Sequence, residues 1–169
     1  MVESVTNIFS PDEAGNTNAL ELLKADHDKV DRLFQKVKAN PDGDNSDTFG
    51  QIRRELVVHT HIEETIFYPF LLKNGDEELQ KITREAIEEH RQVKMFLEEL
   101  QSMSSNRETF PAKLQVLMED VTHHVQEEEG EMFPMIRDQF DQSRLTEIGE
   151  QLKAEKERAM GNASRSVSA

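Results

Sequence analysis

One pattern occurs twice in this chain, and it restricts the backbone to a helix in both places. Residues 57–69 read VVHTHIEETIFYP and residues 120–134 read DVTHHVQEEEGEMFP. Aligned on His59 and His124, both carry Glu-Glu four and five residues on, then an aromatic-Pro pair nine and ten residues on. Side chains four apart on an α-helix differ by about 40° in azimuth and reach one object. On a strand they would stand about 13 Å apart. A His and a Glu repeated at this spacing therefore ask for two helices that present both groups to something shared.

The rest of the chain follows the same period. Leu20, Leu23, Val30, Phe34 and Val37 recur at helical intervals, as do Ile52, Leu56, Ile66 and Phe70, and no segment alternates as a strand would. The first helix is expected from an Asn18 N-cap to about Ala39, where ANPDGDNSD breaks it. The second runs from about Thr48 to Lys73, kinked or interrupted by Pro69 and stopped by Asn74-Gly75. A third spans about 76–103, a fourth about 111–138, and a polar, exposed fifth about 142–160. LLKADHDKVDRLF in the first helix resembles AIEEHRQVKMFL in the third, so the chain reads as two related helical hairpins. The expected fold is all-α. It is an up-down antiparallel four-helix bundle over residues 18–140, with an accessory helix over 141–160, a flexible arm over 1–17 and a disordered tail over 161–169.

Composition removes several function classes. With 34 acidic and 20 basic residues the net charge is −14, which repels nucleic acid and acidic membranes and leaves carboxylates free to neutralise cations. There is no cysteine, hence no disulfide, thiolate metal site or cysteine nucleophile. MVESVTNIFSPDEAGN has neither a basic start nor a long apolar run, so no signal peptide or membrane span is expected, and the cytoplasm is the default location.

His27 lies on the apolar face formed by Leu20, Leu23, Val30 and Phe34. His59 shares a face with Ile52, Leu56 and Ile66, His90 with Ile87, Val93 and Leu97, and His124 with Leu117 and Val121. Each of the four helices thus turns one histidine inward. Glu63 and Glu128 follow one turn beyond His59 and His124. An ionised carboxylate facing an apolar core costs several kcal/mol if unpaired, and no Lys or Arg shares these faces at that level. Bound cations resolve the conflict.

Four imidazoles and two carboxylates suit divalent first-row metals, iron among them, without discriminating well against manganese or zinc. The repeat suggests one ion on His27 and His59 and another on His90 and His124, with Glu63 and Glu128 bridging. An oxo or hydroxo bridge and an open position on each ion would complete the site. Glu64 and Glu129 are expected beside it or at the surface, with Glu129 replacing Glu128 if the fourth helix is distorted. His61 and His123 point away from the inner face, by about 200° and about 100°. Phe67, Phe70, Phe96, Phe133, Met95, Met118 and Met132 are read as core packing.

The segments LLKADHDKV, ELVVHTHIEETIFYP, AIEEHRQV and VTHHVQEEEGEMFP, in this order over roughly residues 19–138, resemble the hemerythrin/HHE cation-binding family. The resemblance implies a four-helix bundle around a non-haem di-iron centre bridged by two carboxylates. Its ligands would be His27, His59, Glu63, His90, His124 and Glu128.

The pattern departs at one point. Oxygen-carrying members have a further histidine one turn before the third-helix ligand, and here Ala86 stands there. That opens a coordination position unless Glu85, Glu89, Tyr68 or water fills it. It moves the expectation away from reversible oxygen carriage. The function expected is binding of dioxygen, peroxide, superoxide or nitric oxide, with catalase- or peroxidase-like detoxification as its enzymatic form. The alternative is a non-enzymatic oxygen, nitric oxide or iron sensor, or an iron store, acting through a partner at the exposed fifth helix.

Overall fold

The computed structural model describes residues 17–103 and 108–166, and among these it is helical without strands. The first helix, α1, is Ala19–Lys38. Asn18 caps it as its position predicts: its side chain accepts from the Glu21 backbone N–H at 3.0 Å, and Glu21 returns the contact to the Asn18 N–H. The second long helix is built of α2, Ser46–Ile62, a π-helical turn at Glu63–Phe67, and α3, Tyr68–Asn74. Next comes α4, Glu77–Ser102, capped by Asp76. The fourth long helix repeats the second, with α5 at Thr109–Glu127, a π turn at Glu128–Met132 and α6 at Phe133–Gln139. Last is α7, Gln142–Ser166. The four long helices form the expected up-down bundle. Its expected N-terminal arm falls, but for Thr17, outside the described residues.

The two π turns have one cause. Proline lacks an N–H, and its ring collides with the carbonyl four residues back in a regular helix. Pro69 and Pro134 each stand in the first turn of the helix that follows a π turn. The widened turn replaces the obstructed register: Tyr68 N–H donates to the Glu63 carbonyl, and Phe133 N–H to that of Glu128, each five residues back. Pro69 therefore interrupts the helix, as expected, without ending it.

This insertion rotates everything downstream. In a straight α-helix residues five apart sit about 140° apart, whereas across a π turn they stack on one face. Tyr68 is thereby brought beneath Glu63, and Phe133 beneath Glu128.

Apolar packing forms two layers. Toward one end lie Leu20, Leu23, Phe67, Leu71, Leu79, Met132 and Ile136, and toward the other Phe34, Ile52, Leu56, Leu97, Leu100, Phe110 and Leu117. The inward histidines and glutamates make a polar layer between them.

Three sequence expectations are corrected here. Met95 is 57% exposed and so does not belong to the core. The fifth helix is not an exposed appendage, because Leu145, Ile148 and Leu152 are buried in the first apolar layer and α7 lies along α1 and α2. Gly149 permits the contact, since a Cβ there would lie 2.3 Å from the Thr17 carbonyl oxygen at the start of α1. Finally, α7 runs to Ser166, through the first part of the segment expected as a disordered tail.

Candidate metal centre

All six candidate ligands are buried: His27, His59 and His124 at 5% exposure, His90 at 1%, Glu63 at 0% and Glu128 at 2%. Their donor atoms converge from four long helices. His27 Nε2 and His59 Nε2 lie 3.1 Å apart, and His90 Nε2 and His124 Nε2 3.2 Å apart, giving the two pairs expected from the repeat. One Glu63 oxygen stands 3.2 Å from both His59 Nε2 and His90 Nε2, so this carboxylate spans the two pairs. A Glu128 oxygen is 3.2 Å from His27 Nε2 and 3.8 Å from His124 Nε2. Two groups of cation-binding geometry result, His27–His59–Glu63–Glu128 and Glu63–His90–His124. They are unequal, since Glu128 belongs to the first group alone.

The other nitrogen of each imidazole faces a carboxylate on a neighbouring helix. His27 Nδ1 meets Glu129 at 2.8 Å, His59 Nδ1 meets Asp26 at 3.4 Å, His90 Nδ1 meets Glu64 at 3.1 Å, and His124 Nδ1 meets Glu89 at 2.6 Å. A carboxylate can only accept, so it selects the Nδ1–H form and leaves each Nε2 lone pair aimed inward. Two lone pairs facing each other at about 3 Å repel unless a cation or proton lies between them. Glu63 Oε1 and Glu128 Oε2 are buried and accept no hydrogen bond, although Glu128 Oε2 lies 3.2 Å from the inward His27 Nε2. This donor set fits a metal pair.

In the metal-free protein, protons take the cation's place. Burial pushes the imidazolium forms of His59 and His90 down, but the Glu63 carboxylate beside them prevails and raises them to about 10 and about 9. Glu63 answers in the opposite sense. Burial pushes it up, and His59 and His90 hold it well below the usual carboxylate range.

Several residues not fully anticipated from sequence complete the site. The Tyr68 hydroxyl donates to Glu128 at 3.0 Å and sits 3.2 Å from His90 Nε2 and 3.4 Å from Glu63. Of the groups expected to fill the opening left by Ala86, Tyr68 is the one within the cluster. Glu89 is turned to His124, and the Glu85 side chain is 63% exposed. Phe133, read as core, occupies the equivalent place in the other half and stacks on His27 with ring centroids 6.2 Å apart. Glu129 does not replace Glu128 despite the distorted helix, because the π turn begins at Glu128 and leaves it on the inner face. His61 and His123 lie outside the cluster, with side chains 46% and 66% exposed.

Asp26 was not singled out by the spacing of His and Glu, yet it is the most buried of the four Nδ1 partners. Burial pushes its carboxyl up, while His59 and the Lys156 ammonium reaching it from α7 hold it below the usual range. A buried, ionised acceptor fixes the His59 ring more firmly than an exposed one. We expect Asp26→Asn to weaken metal affinity by about 10–100-fold. Competition titration against a chromophoric chelator measures this, and an unchanged affinity would show that Asp26 does not orient His59.

The comparisons with known proteins agree with this geometry. Over residues 18–136 the chain matches the model of the hemerythrin HHE cation binding domain. It is 31% identical over 121 residues to an uncharacterized hemerythrin-like protein of Schizosaccharomyces pombe, covering 71% of this chain and 60% of that protein. It is 28% identical over 143 residues to a protein of Nostoc sp. named DNA nickase, covering 82% of this chain and 39% of that protein. The chain thus spans less than two thirds of the length of both of these relatives. A crystal structure of a hemerythrin HHE cation binding domain-containing protein from Mycobacterium kansasii superposes with a TM-score of 0.74 at 26% identity, covering 90% of this chain and 93% of that one. A match over most of the chain, a shared fold and an inward His/Glu cluster together place this protein in the hemerythrin HHE cation-binding domain family.

Proposed function

We propose that the chain holds two non-haem iron ions on His27, His59, Glu63, His90, His124 and Glu128, and that a small oxidant binds beside them. Dioxygen, peroxide, superoxide and nitric oxide are the candidates. The observation that carries this reading is the meeting of four inward Nε2 lone pairs on two buried carboxylates that lack enough partners of their own. Iron there would supply a Lewis acid and a redox couple.

The chain's own residues supply access and selection. Above the histidines, Val30, Leu56, Val93, Val121 and Val125 line a cavity of about 20 Å³. That is room for one very small molecule. Apolar walls favour a neutral gas or hydrogen peroxide over an anion, whose desolvation they would not repay. The Tyr68 O–H, which lies within donating distance of both Glu63 and Glu128, is placed to hold a proton at the opposite side of the cluster.

Metal analysis of protein from iron-supplemented cells, read with its visible spectrum before and after peroxide, tests the proposal. Two irons per chain and bands that change on peroxide addition are expected. Rapid, repeated recovery of the starting spectrum with peroxide loss would identify a catalase- or peroxidase-like enzyme. Absence of iron would sink the iron reading, and peroxide loss no faster than with free iron would sink its catalase- or peroxidase-like form. In the alternative of a sensor or store, a partner acting through the fifth helix would meet its polar face, because the apolar stripe of α7 is packed against the bundle. The charge of −14 continues to argue against a nucleic-acid role.

Metal loading is expected to depend steeply on pH. At pH 7 His59 and His90 carry protons in the metal-free protein, since their values lie at about 10 and about 9. Each incoming ion must expel one, while Glu63 is ionised throughout. The product of the two binding constants should therefore rise about 100-fold per pH unit between pH 6.5 and 8.5 and level off above about 9–10. Calorimetry in buffers of different ionisation enthalpy would show the two released protons.

A further inference from the structure

We propose that Glu89, His123 and Glu127 form a cation-capture site on the outer face of α4 and α5, from which divalent ions pass Ala86 into the inner centre. The inference rests on the metal reading of that centre and adds the route by which it is filled. The three side chains offer donor atoms within 4.8 Å of one another, and none belongs to the inner cluster. His123 and Glu127 stand one helical turn apart on α5, with their side chains 66% and 40% exposed and 3.2 Å between them, so they meet solvent directly. Glu89 comes from α4 and is 30% exposed. It faces both ways: one oxygen accepts from His124 Nδ1 at 2.6 Å, and the carboxylate also lies among the outer group.

A narrow cleft continues inward from this cluster. Its walls include Glu85, Ala86, Glu89 and Glu127, and at its inner end stand His124 and Glu128. Glu128 is 2% exposed and belongs to the inner donor group, so the cleft ends on one of the centre's own carboxylates. The cleft holds about 10 Å³, close to one water, which admits an ion stripped of most of its hydration but no larger solute. Carboxylates at the mouth replace the waters that must be shed. Ala86 keeps the passage open, since any longer side chain there would fill it. The apolar cavity on the histidine side is suited to neutral molecules, so ions and oxidant would enter by different faces.

The test follows cobalt(II) uptake by the full metal-free chain in a stopped-flow spectrometer, using the absorbance of the bound ion. The variants are His123→Ala/Glu127→Gln, Ala86→Leu, and Glu98→Gln as a control that removes one exposed charge elsewhere on α4. The route predicts uptake at least fivefold slower in the first two variants, an unchanged two-ion end point in the first, and wild-type kinetics in the control. Wild-type rates in the first variant, or equal slowing in the control, would overturn it. A lowered end point in His123→Ala/Glu127→Gln would also overturn it, by showing that the cluster supports the inner centre rather than feeding it. Failure of the wild-type chain to take up cobalt at all would instead sink the metal reading itself.

Discussion

Replacing Glu63 with glutamine is expected to empty both metal positions while the helices stay in place. Among the described residues Glu63 is the one carboxylate common to both donor groups, with the same oxygen 3.2 Å from His59 Nε2 and from His90 Nε2. Glutamine keeps the volume but removes the charge that balances two cations. Loss of a carboxylate that merely orients a ligand weakens binding about 10–100-fold. Loss of the shared ligand itself should exceed about 100-fold at each position. The metal-free variant pays little for this, because the raised pKa values of His59 and His90 fall once the Glu63 anion beside them is gone. Its destabilisation should stay near 1–3 kcal/mol, the cost of an imperfectly satisfied buried polar group.

Metal content after dialysis and thermal unfolding with and without metal measure the two effects separately. Two ions, each at a hundred times its dissociation constant, stabilise the wild type by about 5 kcal/mol, a Tm rise on the order of 10–20 °C for a chain of this size. Glu63→Gln should show no such rise. A variant that kept both ions and the full rise would remove Glu63 from the centre.

The helix periods and the inward histidines were legible because each rests on local spacing. Residues i, i+4 and i+7 share a face whatever the neighbours do, so His59 with Glu63 and His124 with Glu128 could be placed without a tertiary structure. Tyr68 was harder to place. In a uniform helix it points about 140° from Glu63, and only the π turn ahead of Pro69 carries it under the cluster. The signal was present in the recurrence of aromatic-Pro at the same offset in both repeats, since proline at that position is incompatible with an unbroken helix.

The carboxylates behind the histidines were marked in the same way. An acid precedes both His27 and His90, and the structure uses each, Asp26 and Glu89, to hold the histidine of the adjacent helix. What local spacing does not encode is which helix lies next to which. The packing of α7 and the reach of Lys156 to Asp26 depend on that alone.

A chain ending at residue 141 is therefore expected to lose the folded bundle rather than just an appendage. Burying Leu145, Ile148 and Leu152 contributes about 1.5–3 kcal/mol each, about 5–9 kcal/mol together, before counting the surface that their removal uncovers on α1. Domains of this size are stable by about 5–15 kcal/mol, so the loss is comparable with the whole. The Lys156 contact that keeps Asp26 ionised behind His59 would go as well.

A point substitution separates packing from chain length. Leu152, fully buried, should cost about 2–5 kcal/mol on replacement by alanine, lowering Tm by about 5–20 °C while the chain still binds metal when cold. Urea unfolding followed by circular dichroism, run beside metal titrations, distinguishes the cases. If the shortened chain kept wild-type stability and bound metal normally, α7 would be dispensable to the fold. A role for it in signalling to a partner would then return to consideration, on evidence that its buried stripe now opposes.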